Sequence, residues 1–89
     1  MERVVNRLIE LNKTISTMES CTGGGVASAI TNIEGSSAIL KFSAVTYSNE
    51  FKIKMGVSKD TIEKYSVYSL EVAKEMSKQI SMFTNSNYG

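Results

Sequence analysis

The sequence contains no histidine, no proline and no tryptophan, and it has a single cysteine among 89 residues. Without histidine, the chain cannot build a Ser-His-Asp triad or a Cys-His pair from its own side chains. One cysteine and no histidine also exclude a structural zinc site within the chain, and a single cysteine allows no internal disulfide. Any nucleophilic catalysis would therefore need a base other than histidine.

The sequence also lacks a large excess of basic or acidic residues and any long apolar segment. Ten basic and nine acidic residues give a formal net charge of +1, and no basic run indicates a nucleic-acid partner. No stretch approaches the ~20 apolar residues of a membrane span, and residues 1–4 do not open a signal peptide. We expect a soluble, cytoplasmic protein that binds neither nucleic acid nor membrane.

The length and the pattern of the chain predict one small α/β domain. The 42% hydrophobic and 21% charged content is ordinary for a globular domain. Helical and strand patterns alternate, which favours a parallel sheet between helices. The predicted helices cover residues 2–11, about 24–31, 49–55, 58–65 and a last one that Ser69 caps; the predicted strands are 14–18 and 39–47, and 32–37 is a loop.

The same patterns predict how two of the helices begin or end and which face of the last helix is buried. Asn49 is predicted to cap the third helix, and Asn12 to end the first in a left-handed conformation. On the last helix, the apolar residues Ala73, Met76, Ile80 and Phe83 are predicted to form one buried stripe.

Two strands are too few for a stable parallel sheet, which must be covered on both faces. Asn85–Gly89 lies where a third strand is expected to begin. We expect a single domain over residues 1–89 that is incomplete at its C-terminal end.

The first informative motif is Glu19–Gly25, between the first strand and the second helix. Glycines allow a sharp turn and close approach of a ligand, and a helix N-terminus offers free N–H groups to a phosphate or an oxyanion. Ser20 is a candidate nucleophile there. The plain alternative is that Ser20 or Thr22 only caps the helix.

The second informative motif is Val45–Lys52, at the junction of the second strand and the third helix. The carboxyl ends of parallel strands lie at one edge of the sheet, so this segment and Ser20 can meet there. Without histidine, a neutral lysine can activate a serine, which makes Lys52 a candidate base and Tyr47 a candidate proton relay. The alternatives are a solvated helix lysine and a half-buried strand tyrosine.

Together these motifs resemble the CinA C-terminal domain family, the nicotinamide mononucleotide (NMN) deamidases of the PncC type. The resemblance runs in order from about Leu8 to Gly89. It is carried by Glu19-Ser20-Cys21-Thr22-Gly23-Gly24, by Gly35-Ser36-Ser37-Ala38, and by Val45-Thr46-Tyr47-Ser48-Asn49-Glu50 with Lys52.

The resemblance implies a three-layer α/β/α fold with a mainly parallel sheet. It also implies hydrolysis of the NMN carboxamide to nicotinate mononucleotide and ammonia, with no metal and no cofactor. Ser20 would be the nucleophile, Lys52 its general base and Tyr47 a support for proton transfer, with Cys21 only a neighbour. The residues expected to bind or line the substrate site are Thr22, Gly23, Gly24, Ser36, Ser37 and Asn49.

The chain departs from the family pattern in two ways. It reads Ser66-Val67-Tyr68-Ser69 where the family usually has Gly-Ala-Val-Ser. The family domain also continues past Gly89 with a strand, a glycine-rich loop and further strands, so the resemblance covers the N-terminal half. Two other expectations therefore stand beside the deamidase. The first is an inactive fragment that folds only partly, or that pairs its exposed sheet edge with another copy in a homo-oligomer such as a dimer. The second is a nucleotide-binding module at residues 22–25 without hydrolysis.

Overall fold

A computed structural model describes every residue from Met1 to Gly89. Five α-helices and two β-strands follow the predicted order, and a short 3-10 turn at Ser36–Ala38 lies in the segment that leads from the predicted loop into the second strand. The elements are α1 (Glu2–Leu11), β1 (Ile15–Glu19), α2 (Gly25–Thr31), β2 (Leu40–Val45), α3 (Asn49–Lys54), α4 (Lys59–Tyr65) and α5 (Leu70–Thr84).

The two strands form a parallel pair, as predicted, with a register that runs from Ile15 opposite Leu40 to Glu19 opposite Val45. The other edge of β1 pairs with the C-terminal segment. Tyr88 forms a parallel bridge with Ile15, and its carbonyl accepts a 3.1 Å hydrogen bond from the Ser16 N–H. β1 therefore has backbone partners on both sides, which makes it the central strand of this small sheet.

Helices cover both faces of the sheet, which confirms the three-layer α/β/α fold. Because neighbouring strand residues point to opposite faces, Ile15 packs against one apolar cluster and Met18 against another. The first cluster consists of Val5 and Leu8 from α1, Ile30 from α2, and Ile39; the second consists of Val57, Val72 and Met76. No helix has the length and apolar character needed to cross a membrane.

The buried face of α5 differs in part from the predicted stripe. Met76 and Ile80 are buried as expected, but Ala73 and Phe83 are exposed. Val72 completes the buried face instead, because positions 72, 76 and 80 follow the i, i+4, i+8 spacing of one helix face. Phe83 contacts the ring of Phe42 at a centroid distance of 6.0 Å on the surface.

Side chains cap two of the helices that matter for the site. The Ser48 hydroxyl accepts a 3.1 Å hydrogen bond from the Phe51 N–H and caps α3, so the prediction of Asn49 as this cap was wrong by one residue. Ser69 caps α5 as predicted, through a 3.2 Å hydrogen bond from the Val72 N–H. Asn12 ends α1 in the predicted left-handed conformation, with φ of 54°.

The turn between α4 and α5 contains a residue in a costly backbone conformation. Ser66 has φ of 69° and ψ of 161°, a region that is essentially restricted to glycine and costs other residues about 1–3 kcal/mol. Hydrogen bonds hold it there: its N–H donates to the Ile62 carbonyl at 2.9 Å, and its carbonyl accepts from the Ser69 hydroxyl at 2.6 Å.

Replacing Ser66 by glycine is therefore expected to raise the free energy of unfolding by about 1 kcal/mol. In a domain of this size that corresponds to a rise of about 4–8 °C in the melting temperature. The matched control is Ser66→Ala, which also removes the hydroxyl but keeps the Cβ, and it should melt below the parent protein. Thermal unfolding followed by circular dichroism checks both; a glycine variant that melts no higher than the alanine variant would contradict the strain.

Candidate active site

Ser20 and Lys52 meet at the carboxyl ends of the two parallel strands. Ser20 follows β1 directly, and Lys52 lies in the first turns of α3, which follows β2. The Lys52 Nζ atom lies 2.9 Å from the Ser20 Oγ atom. The topology thus brings together the two residues that the sequence proposed as nucleophile and base, although they are 32 positions apart.

Lys52 is buried without a carboxylate partner. Only 2% of its surface is exposed, and none of the ion pairs of the chain includes it. Burial lowers the pKa of its amine, against a smaller opposing effect of Cys21, because a charged amine loses its hydration in the interior. The solvated helix lysine that the sequence left open is excluded, and the environment favours the neutral amine.

The contacts around Nζ suit a neutral amine that acts as a base. The nitrogen lies 2.6 Å from the Thr46 carbonyl oxygen and 3.5 Å from the Tyr47 carbonyl oxygen. Carbonyl oxygens only accept hydrogen bonds, so these two oxygens take the two N–H groups of a neutral amine. Nζ can also donate to the Ser20 Oγ at 2.9 Å; in the neutral amine the lone pair is left for this third contact and accepts the serine proton.

Glu19 holds the turn that presents Ser20. Its carboxylate is buried, with 5% of the residue exposed, and it accepts hydrogen bonds from the Val26 and Ala27 N–H groups, both at 2.9 Å. It also accepts from the hydroxyls of Thr22 at 2.7 Å and Thr17 at 3.2 Å. The residue directly before the nucleophile is therefore tied to the start of α2 on one side and to β1 on the other.

This arrangement corrects the expected use of the α2 N-terminus. The first N–H groups of α2 donate to the Glu19 carboxylate and are not free for a phosphate or an oxyanion. Ser20 and Thr22 do not cap the helix either, since Gly24 occupies the cap position. Glu19 was not among the residues predicted for the site, although an acidic residue a few positions before a helix start was a signal that could have identified it.

Replacing Glu19 by glutamine is expected to lower the free energy of unfolding at pH 7 by about 1–3 kcal/mol, since one amide oxygen cannot replace both carboxylate oxygens. Burial alone would raise the pKa of Glu19, but the hydrogen bonds from Thr22, Val26, Ala27 and Thr17 outweigh it and lower the pKa below its ordinary 4.5. The stabilisation is thus present above pH 4.5 and lost as the pH falls through the lowered pKa.

Urea unfolding of both proteins at pH 7 and at pH 3 measures this difference, and Glu34→Gln, at an exposed glutamate, is the matched control. A Glu19→Gln penalty that is no larger at pH 7 than at pH 3 would contradict the assignment.

Three backbone donors remain free around Ser20. The Gly23 N–H donates to the Ser20 carbonyl at 2.9 Å, and the Gly25 N–H donates to the Thr22 carbonyl at 2.9 Å. The N–H groups of Cys21, Thr22 and Gly24 make no hydrogen bond within the chain. Free N–H groups beside a nucleophile are the usual donors to a developing oxyanion, so this turn can fill that role without the α2 N-terminus.

A cleft of about 470 Å³ opens over the Ser20–Lys52 pair. Tyr47 and Asn49 line it, as does Cys21, which is exposed beside the serine. The phenol of Tyr47 makes no hydrogen bond within the chain, and 76% of this residue is exposed, which excludes a half-buried strand tyrosine. Tyr47 contacts the lysine through its backbone carbonyl, while its side chain is free to face a ligand.

Ser36 and Ser37 lie away from this cleft. They precede β2, whereas Ser20 and Lys52 lie beyond its carboxyl end. At about 3.3 Å per strand residue, the six residues of β2 separate the two ends by about 20 Å. The topology therefore does not bring these two expected lining residues to Ser20. The chain also gathers no group of three His, Cys, Asp or Glu side chains that could hold a metal ion.

Comparison with known proteins gives a consistent result. A family model described as the CinA C-terminal domain matches residues 1–89. The chain is 48% identical over 82 residues to a CinA-like protein of Endomicrobium trichonymphae, which covers 91% of this chain and 19% of the relative. It is 50% identical to a putative competence-damage inducible protein of Clostridium kluyveri, over the whole chain and 22% of the relative.

Solved structures show the same fold at similar coverage. A competence/damage inducible protein from Agrobacterium tumefaciens superposes with a TM-score of 0.91 at 36% identity, over 96% of this chain and 52% of that one. A CinA superfamily protein from Escherichia coli gives 0.92 at 32% identity, over 96% and 50%. The chain thus spans about a fifth of the length of these curated relatives and about half of the solved chains.

Proposed function

Because the chain belongs to the CinA C-terminal domain family, we propose that it carries the serine–lysine part of an amide hydrolase. The proposed reaction converts NMN and water to nicotinate mononucleotide and ammonia in pyridine nucleotide salvage. The observation that carries this proposal is the 2.9 Å contact between Lys52 Nζ and Ser20 Oγ in a site that favours the neutral amine. The chain has no histidine, so a lysine beside the serine supplies the base in this proposal.

In the first half of the reaction, Ser20 attacks the carboxamide of the substrate. Neutral Lys52 takes the hydroxyl proton as Oγ forms a bond to the carboxamide carbon. The charge that develops on the carboxamide oxygen is stabilised by the free N–H groups of Cys21, Thr22 and Gly24. The C–N bond then breaks, and the amine leaves as ammonia with the proton that Lys52 returns.

In the second half, water releases the acid. The ester between Ser20 and the nicotinoyl group is attacked by a water molecule whose proton passes to Lys52. The ester bond breaks, Ser20 regains its proton from Lys52, and the product leaves as nicotinate mononucleotide. The neutral lysine is restored, so the cycle consumes one water and needs no further reagent.

The remaining residues of the cleft position this pair. The carbonyls of Thr46 and Tyr47 fix the orientation of the amine, and Glu19 fixes the turn that carries Ser20. The Tyr47 phenol and Asn49 lie along the cleft, where the phenol can support proton transfer to the leaving group. Gly23 and Gly24, both at positive φ, give the turn its sharp course around the nucleophile.

The test is product formation by the purified 89-residue chain. Ammonia release from NMN is followed with a coupled assay, and the nucleotide product is identified by mass spectrometry in water enriched in heavy oxygen. The proposal expects ammonia and nicotinate mononucleotide in equal amounts, with one heavy oxygen in the new carboxylate. A folded chain that releases no ammonia above the background of a Ser20→Ala variant would contradict it.

A second candidate, self-association, is favoured by the free edge of the sheet. β2 pairs only with β1, so its outer edge presents unpaired backbone groups, beside the exposed rings of Phe42 and Phe83. Two copies could pair these edges about a two-fold axis and cover both aromatic pairs. Light scattering that gives the mass of a single chain at micromolar concentration would remove this candidate.

A further inference from the structure

The two most exposed large apolar side chains of the protein line the same cleft. Tyr68 is 95% exposed and Tyr47 is 76% exposed, more than Phe83 at 67%. Both belong to the cleft that opens over Ser20 and Lys52. Single exposed apolar residues are common on proteins, but two exposed aromatic side chains that line one cleft are typical of a ligand-binding site.

Hydrogen bonds fix the backbone of Tyr68, although its side chain is exposed to solvent. The Tyr68 N–H donates a 3.1 Å hydrogen bond to the Ser66 hydroxyl, and Ser69 on the other side caps α5. Ser66 itself is kept in its costly conformation by hydrogen bonds to Ile62 and Ser69. The turn therefore presents the ring at a defined place on the cleft, and backbone strain of this kind clusters at ligand sites.

The chemistry of this surface favours a flat aromatic ligand. The phenol groups of Tyr47 and Tyr68 make no hydrogen bonds within the chain. No hydrogen bond of a hydroxyl group therefore holds either ring away from a ligand in the cleft. Val67 adds an apolar side chain to the lining of the same cleft. Rings that meet an aromatic face in an offset stack gain energy beyond the burial of area.

We infer that Tyr68 determines specificity by stacking on the flat ring of an aromatic amide whose carboxamide reaches Ser20. This inference rests on the proposed function for the position of the carboxamide, and it adds the residue that recognises the ring. Tyr68 acts on binding of the ring and not on the proton transfers. It should therefore affect ground-state and transition-state binding equally, which changes KM and leaves kcat unchanged.

The test separates binding from turnover. NMN binding is measured by isothermal titration calorimetry on a Ser20→Ala background, which removes the nucleophile. Tyr68→Val is expected to raise Kd by about tenfold, and Tyr68→Phe to leave it unchanged because the stacking face is kept. Tyr65→Val is the matched control, since Tyr65 is exposed three residues earlier and does not line the cleft; its Kd should equal that of the parent.

The outcomes distinguish this inference from the proposed function. The stacking role would be overturned by an unchanged Kd in Tyr68→Val or by an equal rise of Kd in Tyr65→Val. It would also be overturned if the Ser20→Ala protein without either change bound no detectable NMN. In the protein with Ser20 intact, a Tyr68→Val variant that loses kcat at constant KM would also overturn it. Binding that depends on Tyr68 without any ammonia release would instead keep the stacking role and refute the hydrolase.

Discussion

Replacing Ser20 by alanine is expected to lower the rate of ammonia release from NMN by roughly 10⁴-fold or more, because the proposed acyl intermediate forms on the Ser20 hydroxyl. The variant should keep the fold, since Ser20 is partly exposed and the only hydrogen bond of its side chain is with Lys52. The measurement is the coupled ammonia assay on both proteins, with circular dichroism to show that both are folded.

The matched control for this experiment is Ser28→Ala. Ser28 is an exposed serine in α2, close in sequence to the same turn, and its loss should leave the rate unchanged. Turnover by Ser20→Ala at the rate of the parent protein would show that the serine is not the nucleophile. Cys21, exposed next to it, would then be the first residue to test.

Replacing Lys52 by methionine is expected to abolish activity and to stabilise the fold. Loss of the general base should lower kcat by about 10²–10⁴-fold. Methionine keeps the unbranched apolar chain but removes an amine that is buried without a carboxylate partner, so we expect the free energy of unfolding at pH 7 to rise by about 1 kcal/mol. Kinetics and urea unfolding of the same variant measure the two effects.

The pH dependence of this gain has a definite sign. Burial lowers the pKa of Lys52 below its ordinary 10.5, so between the two values the unfolded chain binds more protons than the folded one. The free energy of unfolding of the parent protein therefore suffers no penalty from Lys52 above pH 10.5, where the lysine is neutral in both the folded and the unfolded chain. It decreases as the pH falls from 10.5 through the lowered pKa. The advantage of Lys52→Met should accordingly shrink as the pH rises from 7 towards 10.

Lys54→Met is the control, because Lys54 lies two residues along the same helix with 60% of its side chain exposed. It should leave the rate of ammonia release unchanged. A Lys52→Met variant that is less stable than the parent at pH 7, with a difference that does not vary with pH, would indicate a charged lysine that supports the fold.

Much of the fold followed from local patterns in the sequence. The limits of α1 and α2 and the parallel pairing of β1 with β2 agree with the prediction. The hydrophobic periodicity of a helix and the glycine or asparagine that ends it are local signals, because each spans only a few residues. The stripe on α5 was misplaced by one position at its start, with Val72 buried in place of Ala73. Which apolar residues face inward depends on how the helix is rotated on the sheet, and a local pattern defines that rotation only approximately.

The site was predictable where it depended on topology and not where it depended on side-chain contacts. Ser20 and Lys52 were placed together by the rule that parallel strands end at one edge. The same rule separates Ser36 from them, since it precedes β2. Its place before a helix start could have marked Glu19 as a helix partner, but which groups it accepts hydrogen bonds from, Thr22 and the start of α2, depends on the direction of the turn.

The departure at residues 66–69 gains a physical meaning in the structure. The family pattern has glycine at the first of these positions, and Ser66 adopts a conformation that suits glycine. The same segment replaces the usual valine with Tyr68, which is bare at the cleft. The sequence showed the substitutions but gave no reason for them.

The most direct test of the account is the pKa of Lys52, measured by nuclear magnetic resonance on the protein with carbon-13-labelled lysine. The Lys52 Cε signal is identified by its absence from the spectrum of Lys52→Met. The account predicts that this signal titrates below the ordinary lysine value of 10.5. A Lys52 signal that titrates near pH 10.5 would contradict a neutral lysine as the base that activates Ser20.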